Sequence, residues 1–225
     1  MIALGNERNP LVVIDDFMDH PEILTRYAQS LAPFAREAET YYPGLRHLFG
    51  PEDALIARHV LASLEAVTPL MIKAFGIRGV RPVEASFSMI TCRPQDLTLH
   101  QRLPHFDRTD NDFFAILHYL SGVPKGGTSF YRHRRTGFEQ VTAERADHYA
   151  EVRQRELLAS GPPPMVYFNG SDDAFERIAQ LDPKFNRLLI YRGCALHSAD
   201  VPNDFIFSDS PSIGRLTFNM FAKAI

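Results

Sequence analysis

Tryptophan is absent from this 225-residue sequence, and cysteine occurs only twice. Cys92 and Cys194 are far apart and outside any Cys-x-x-Cys pattern. This spacing excludes a cysteine-based zinc site and a disulfide framework. We expect both thiols to be reduced and buried.

Neither sign of charge is in large excess, since the formal net charge is -3. A balance this small gives no electrostatic reason to expect a nucleic-acid partner. No run approaches 18 apolar residues, and the opening MIALGNERNP lacks the basic and apolar regions of a secretion signal. We therefore expect no membrane partner and a cytoplasmic location.

Helical patterns dominate the first third of the chain, and short apolar segments separated by Gly/Pro turns dominate the rest. The patterns predict helices at 21–31, 51–75, 142–158 and 172–181, a loop at 40–50, and strands at 11–17, 84–92, 113–120, 126–133, 165–169, 187–193, 194–199, 204–208 and 215–222. Many short strands of this kind predict a β-sandwich or barrel. The chain is thus interpreted as one domain, 1–225, mainly β with flanking helices. Its helix-rich support region is 1–80, and its β core is 81–225 with a helical insertion at about 142–182.

His105-Phe106-Asp107 places an imidazole and a carboxylate two residues apart. In an extended strand such side chains point to the same face and can converge on one ion. His197 follows another buried strand some ninety residues later, and Arg215 starts the last strand. Two histidines and one carboxylate leave three positions of an octahedral Fe(II) open. A two-oxygen chelator could fill two of them, with a basic residue holding its far carboxylate.

This order of motifs, within an apolar strand followed by YLS and GGTSFY, resembles the Fe(II)/2-oxoglutarate-dependent oxygenases, in particular their prolyl-4-hydroxylase-like branch. The similarity covers about residues 84–222 and implies a double-stranded β-helix, or jelly roll, with the N-terminal helices packed on it. It also implies Fe(II), 2-oxoglutarate and O2 as cofactor and cosubstrates, with 2-oxoglutarate converted to succinate. His105, Asp107 and His197 would then be iron ligands.

The resemblance also assigns residues to 2-oxoglutarate: Arg215 would bind its C5 carboxylate, and Thr217 and Tyr119 would hydrogen-bond to it. The interval between His197 and Arg215 is eighteen residues, whereas about ten is common in the family. An inserted hairpin or lid at 203–214 would account for the excess, and otherwise Arg192 is a weaker candidate for the anchor. Because Asp107 occupies the position that halogenating relatives leave free for chloride, the resemblance favours hydroxylation or another oxidation over halogenation.

The substrate is predicted as a small molecule, such as an amino acid or related metabolite, or a peptide residue. Arg108, Tyr131 and His133 are candidate substrate-binding residues, and the basic residues near the expected mouth would suit an anionic substrate. The segment 142–160 is a candidate lid or dimer contact, so a homodimer stays open. Two alternatives remain: a non-catalytic β-helix sensor, and a cupin-like metalloenzyme that needs no cosubstrate.

Overall fold

The computed structural model describes residues 1–36 and 42–225. This part of the chain contains three α-helices and ten β-strands. In chain order they are β1 Ile2–Leu4, β2 Asn9–Ile14, α1 Glu22–Leu31, β3 Gly44–Leu48, α2 Ala54–Phe75, β4 Val80–Ile90, β5 Phe113–Tyr119, β6 Gly127–His133, α3 Ala143–Ser160, β7 Phe175–Leu181, β8 Leu188–Arg192, β9 His197–Asp200 and β10 Leu216–Ala224.

The strands form two antiparallel sheets. The larger has the order β1-β2-β8-β5-β10-β4-β3, and the smaller has the order β7-β6-β9. They face each other across a common interior, where the Phe130 and Tyr191 rings pack with their centroids 5.1 Å apart. The Tyr119 hydroxyl also hydrogen-bonds across the interior to Thr128, at 2.8 Å. The predicted double-stranded β-helix is therefore confirmed.

Alternation along the strands of the larger sheet decides which side chains enter the interior. Phe114 and Ile116 of β5 point outward and pack against the buried face of α2, whereas Ala115 and Tyr119 point inward. The outward core is completed by Val60, Leu64, Val67 and Met71 of α2 with Phe87, Met89, Phe218 and Met220 of the sheet. The predicted packing of the N-terminal helices on the β core is thus confirmed.

By length and composition alone, α2 is long and apolar enough to cross a membrane. Charged residues interrupt its sequence, so it does not contain an unbroken apolar run. Core helices of globular proteins pass the same test. Here one face of the helix is buried against the sheet. The opposite face is exposed.

Two buried polar groups tie separate parts of the fold together. On the helix side of the sheet, His118 Nε2 lies 3.0 Å from Asn186 Oδ1, which also accepts the Met18 backbone N–H. On the other side, the buried Glu139 carboxylate accepts the backbone N–H groups of Asn6 and Glu7 in the β1–β2 turn. Both groups connect distant segments of sequence to the β core.

The predicted helix at 172–181 is wrong, because residues Phe175–Leu181 form β7 and pair with β6. Asp172 begins this segment with a local turn in which its carboxylate accepts the N–H groups of Ala174 and Phe175. Strand pairing outweighs the helical pattern of the segment. The helical insertion is therefore limited to α3.

Three other predicted segments also differ. The predicted loop at 40–50 contains β3, while residues 40 and 41 lie outside the described part. Residues 165–169 and 204–208 belong to no strand. Tyr167, Phe205 and Phe207 instead form an apolar cluster beside Cys92. Cys92 and Cys194 are free and buried, as expected.

Candidate metal centre and acid-binding site

The structure brings His105, Asp107 and His197 together at one end of the barrel interior. His105 and His197 form a backbone bridge, in which each N–H donates to the other residue's carbonyl at 2.8 Å. The Asp107 N–H donates to the Gly193 carbonyl at 2.7 Å, which fixes the aspartate beside the end of β8. The backbone therefore sets the positions of all three side chains.

One potential ligand atom from each of these side chains lies within 4.8 Å of the other two. The His105 and His197 ring centroids are 4.4 Å apart, and His197 Nε2 is 3.9 Å from Asp107 Oδ1. The Nδ1–H of His197 donates to the Ala195 carbonyl, so the lone pair of a neutral ring is on Nε2, which faces the aspartate. This tautomer is the one that can donate a lone pair to a metal.

The electrostatics of the three groups also suit a cation. Burial, reinforced by His197, lowers the pKa of His105 to about 3, so its imidazole is neutral near pH 7. Burial raises the pKa of Asp107 above its usual range. Among the described residues, Asp107 Oδ2 is buried without a hydrogen-bond partner. A buried carboxylate oxygen of this kind requires a compensating charge or donor. Two imidazoles and one carboxylate are the ligand set of non-haem Fe(II) sites.

A second charged group, Arg215, lies where β10 begins. Its side chain is buried, its Nε donates to the Gly126 carbonyl, and its guanidinium carbon lies 5.2 Å from the centre of the Tyr119 ring. Within the described residues, no carboxylate lies within ion-pair distance of this guanidinium. A buried cation whose neighbours are uncharged is suited to binding an anion.

Thr217 and Tyr119 lie beside Arg215. The Arg215 guanidinium lies over the Tyr119 ring, and Thr217 is directly opposite Tyr119 on the neighbouring strand. The Thr217 hydroxyl donates to the Ser88 carbonyl at 3.3 Å, and the Tyr119 hydroxyl bonds to Thr128. The Tyr42 hydroxyl also reaches Thr217 and Arg215, a neighbour that the sequence did not indicate. The three predicted acid-binding residues are therefore adjacent.

Tyr191 connects the two ends of the interior and was not singled out from the sequence. Its ring centroid is 4.9 Å from that of His197. Burial raises the pKa of its phenol well above the usual value; the Asp107 carboxylate adds to the increase, and Arg215 opposes it. The hydroxyl therefore lies within electrostatic reach of both charged groups. Alternation in RLLIYRG could have indicated it, because Leu189 and Tyr191 share the inward face.

Two glycines permit the close approaches on which the site depends. A Cβ atom on Gly193 would lie 2.7 Å from the Phe113 ring and 3.4 Å from Asp107 Cβ. Gly126 has φ +88°, and a Cβ there would lie 2.8 Å from Arg215 Cδ. Both positions thus exclude larger residues for a geometric reason.

Polar side chains of β3, β4 and β10 line the interior beside Asp107. Arg46 donates to Glu84 Oε1 at 2.6 Å and to Ser86 Oγ at 3.0 Å, and both charged groups act on the pKa of Asp107. Asn219 is paired with Ser86 across the strands, and its Oδ1 is buried without a hydrogen-bond partner among the described residues. Arg108 is exposed and stacks on the Phe113 ring at 5.0 Å.

The prediction that Tyr131 and His133 bind the substrate is wrong. His133 is fully buried, and its ring nitrogens bond to Thr136 at 2.8 Å and to Glu156 of α3 at 2.9 Å. Tyr131 lies in the same cluster beneath α3. Side chains alternate along β6, so Phe130 faces the interior, whereas Tyr131 and His133 face the side covered by α3.

Arg192, the alternative anchor, lies on the outer face of the larger sheet. It donates to the carbonyls of Asn111 and Phe75 and stacks on the Phe75 and Phe114 rings. It is therefore excluded as a ligand of anything inside the barrel. Residues 203–214 contain turns and no strand, so the inserted hairpin predicted there is absent, and a lid at this segment stays a prediction.

Solved structures with this fold include Fe/2-oxoglutarate-dependent enzymes. HygX from Streptomyces hygroscopicus, solved with nickel and 2-oxoglutarate bound, superposes with a TM-score of 0.54 and 12% identity, over 96% of this chain and 83% of that one. A Pseudomonas putida prolyl-4-hydroxylase gives 0.51 and 11%, over 96% and 94%. The α-ketoglutarate-dependent epimerase SnoN from nogalamycin biosynthesis gives 0.50 and 12%, over 96% and 78%.

At such identities the likeness establishes the fold, which is the jelly roll of the Fe/2-oxoglutarate-dependent oxygenases. No curated protein sequence matches the chain. A family profile matches residues 1–222, almost the whole chain, and its description is "Family of unknown function (DUF6445)". The chain is a member of that family.

Proposed function

We propose that the protein is a non-haem Fe(II)/2-oxoglutarate-dependent dioxygenase that hydroxylates an unactivated C–H bond of a small molecule or a peptide residue. One observation carries the proposal: a histidine–aspartate–histidine cluster and a buried, carboxylate-free guanidinium lie at two ends of the same interior. A metal site alone would suit many functions. A metal site with an anion site behind it suits a chelating dicarboxylate.

His105, Asp107 and His197 would hold the Fe(II), with Asp107 supplying the negative charge. Bound together, iron and 2-oxoglutarate supply O2 activation, with decarboxylation of 2-oxoglutarate to succinate. Arg215 would bind the far carboxylate of 2-oxoglutarate and orient it, assisted by Thr217 and Tyr119. The aromatic rings of Tyr191 and Phe130 would exclude water from the space between the two ends.

The polar group formed by Arg46, Glu84, Ser86 and Asn219 would contact the substrate beside the metal. It offers hydrogen-bond acceptors at Glu84 and Asn219 and a cation at Arg46. Arg108 would add a positive charge at the mouth. Together these groups suit a polar substrate that bears hydroxyl or amino groups. The sequence alone indicated only that the substrate would be anionic.

Anaerobic reconstitution with Fe(II) and 2-oxoglutarate tests the proposal without knowledge of the substrate. We expect a visible metal-to-ligand charge-transfer band, followed by slow succinate release when O2 is admitted. Asp107→Ala should remove metal binding, whereas His100→Ala, a nearby histidine outside the cluster, should leave the band intact. Binding of 2-oxoglutarate without any succinate release would support a sensor instead. Turnover independent of 2-oxoglutarate would support the cupin-like alternative.

A further inference from the structure

The exposed face of α2 is unusually apolar for a helix that borders solvent. Leu61 is 60% exposed, Leu55 46% and Ile72 41%, while the opposite face of the helix is buried in the core. Large apolar side chains on the exposed face of a helix whose other face is already buried are a feature of interaction sites.

Two charged residues, Arg58 and Glu65, lie at the centre of this face. They are seven positions apart, so they share a face of the helix but stand two turns apart, about 10 Å along the axis. At that distance they cannot pair with each other. Neither has an ion-pair partner within residues 1–36 and 42–225, unlike Arg155 and Glu151 on α3, which pair four residues apart.

The pattern is self-complementary about its midpoint at Leu61 and Ala62. If two copies of α2 lie antiparallel with a two-fold axis at this midpoint, Arg58 of each copy faces Glu65 of the other. A two-fold interface has this reciprocal form, in which residue i contacts residue j and residue j contacts residue i. We propose that α2 is the interface of a homodimer, with the two helices antiparallel in this register.

The same face fits a second copy better than a lipid surface. Helices that lie on membranes carry Lys and Arg around an apolar face; α2 also has exposed Arg58 and Lys73, but it places the Glu65 carboxylate at the centre of the same face, and anionic lipids repel a carboxylate. The helix also cannot enter a bilayer without exposing Val60, Leu64 and Val67, which it buries against the sheet. Because α2 lies on the outer side of that sheet, dimerisation would leave the metal end of the interior accessible.

The mass of the full-length protein in solution, measured by sedimentation equilibrium and light scattering, tests the interface. We expect twice the chain mass of 25.5 kDa. Arg58→Glu should place two carboxylates opposite each other, and Glu65→Arg should place two guanidinium groups opposite each other. Each variant should dissociate, with a Kd raised at least about tenfold, because like charges at an interface repel. Leu158→Glu is the matched control, since Leu158 is an exposed leucine of α3 at 79%.

Recombining the charges makes the test specific for the register. An equimolar mixture of the two single variants should form a heterodimer, because both of its charge pairs are attractive. The double variant Arg58→Glu/Glu65→Arg should recover the homodimer. The proposal would be overturned if the wild-type chain stays monomeric up to about 100 µM, because only a dimer with a much higher Kd would escape detection at that concentration. Single variants that remain dimeric, a mixture that remains monomeric, or Arg58-dependent flotation with phosphatidylglycerol vesicles in place of dimerisation would also overturn it.

Discussion

Replacing Arg215 by methionine should not lower the stability of the ligand-free protein, but it should weaken the binding of 2-oxoglutarate and the stabilisation that the ligand provides. Arg215 is 2% exposed, and its guanidinium contacts uncharged groups, namely carbonyl oxygens, the Tyr119 ring and the Tyr42 hydroxyl. A buried charge without a counter-charge is costly, and an apolar side chain of similar length often replaces it without loss of stability. We therefore expect the free energy of unfolding of ligand-free Arg215→Met to equal or exceed that of the wild type.

The affinity of Arg215→Met for 2-oxoglutarate should be much lower than that of the wild type. Loss of a buried charge pair costs about 3 to 5 kcal/mol, which corresponds to roughly two to four orders of magnitude in Kd. A ligand at about 100 times its Kd stabilises the folded state by about 2.7 kcal/mol. For a chain of this size that amounts to a rise in Tm of roughly 5 to 11 °C. At the same concentration the variant should gain about 1 °C or less.

Thermal unfolding and calorimetric titration with Mn(II) in place of iron separate the two effects without turnover. Arg192→Met is the matched control, because Arg192 also donates to backbone carbonyls but lies on the outer face of the sheet. It should keep the full thermal response to 2-oxoglutarate. The reasoning is refuted if Arg215→Met unfolds several degrees earlier than the wild type and still binds 2-oxoglutarate with unchanged affinity.

Three further perturbations probe the scaffold. Gly193→Ala should weaken Mn(II) binding at least about tenfold, since its methyl group would displace Phe113 and Asp107; an unchanged Kd would contradict the contact argument. Glu139→Ala should cost about 3 kcal/mol and speed hydrogen exchange in the β1–β2 turn, and slow exchange there would contradict its role. Burial lowers the pKa of His118 to about 4, so between pH 6.5 and 4 the unfolded chain binds more protons and stability falls as the pH falls. Urea unfolding should show about 2 kcal/mol less stability at pH 5 than at pH 7 from this histidine, and His118→Gln should flatten the profile.

Local patterns were sufficient to predict the β core but not the meeting of three distant side chains. The apolar strand FFAILHYL became β5, and the two-residue spacing of His105 and Asp107 placed both on one side of the chain. His197 is some ninety residues further along the chain. The strand order of the jelly roll places it beside His105 and Asp107. The resemblance to a family supplied that order, because spacing alone does not tell which strands are neighbours.

Side-chain direction was harder to predict, because it depends on pairing that the sequence does not display. Tyr131 and His133 alternate with the inward Phe130 and so face α3, but the sequence does not show which of the two alternating sets of β6 enters the interior. The segment DDAFERIAQL has helical spacing, yet β6 offers it a complete hydrogen-bonding edge. Arg46 and Glu84 escaped notice for a similar reason. They reach the metal end only because β3 and β4 border β10 in the larger sheet.

The length of the interior argues for the size of the acid that it would hold. Tyr191 is paired with Ala115, and Tyr119 lies four residues further along β5, so the two tyrosines are separated by about 14 Å of strand. The His197 ring packs on Tyr191 at one end, and the Arg215 guanidinium lies over Tyr119 at the other. Under the proposed function, a dicarboxylate would have one end on the metal and the other on the guanidinium. A monocarboxylate of the same chelating type would leave Arg215 buried without a counter-charge, so the arrangement would discriminate between cosubstrates by the cost of that uncompensated charge.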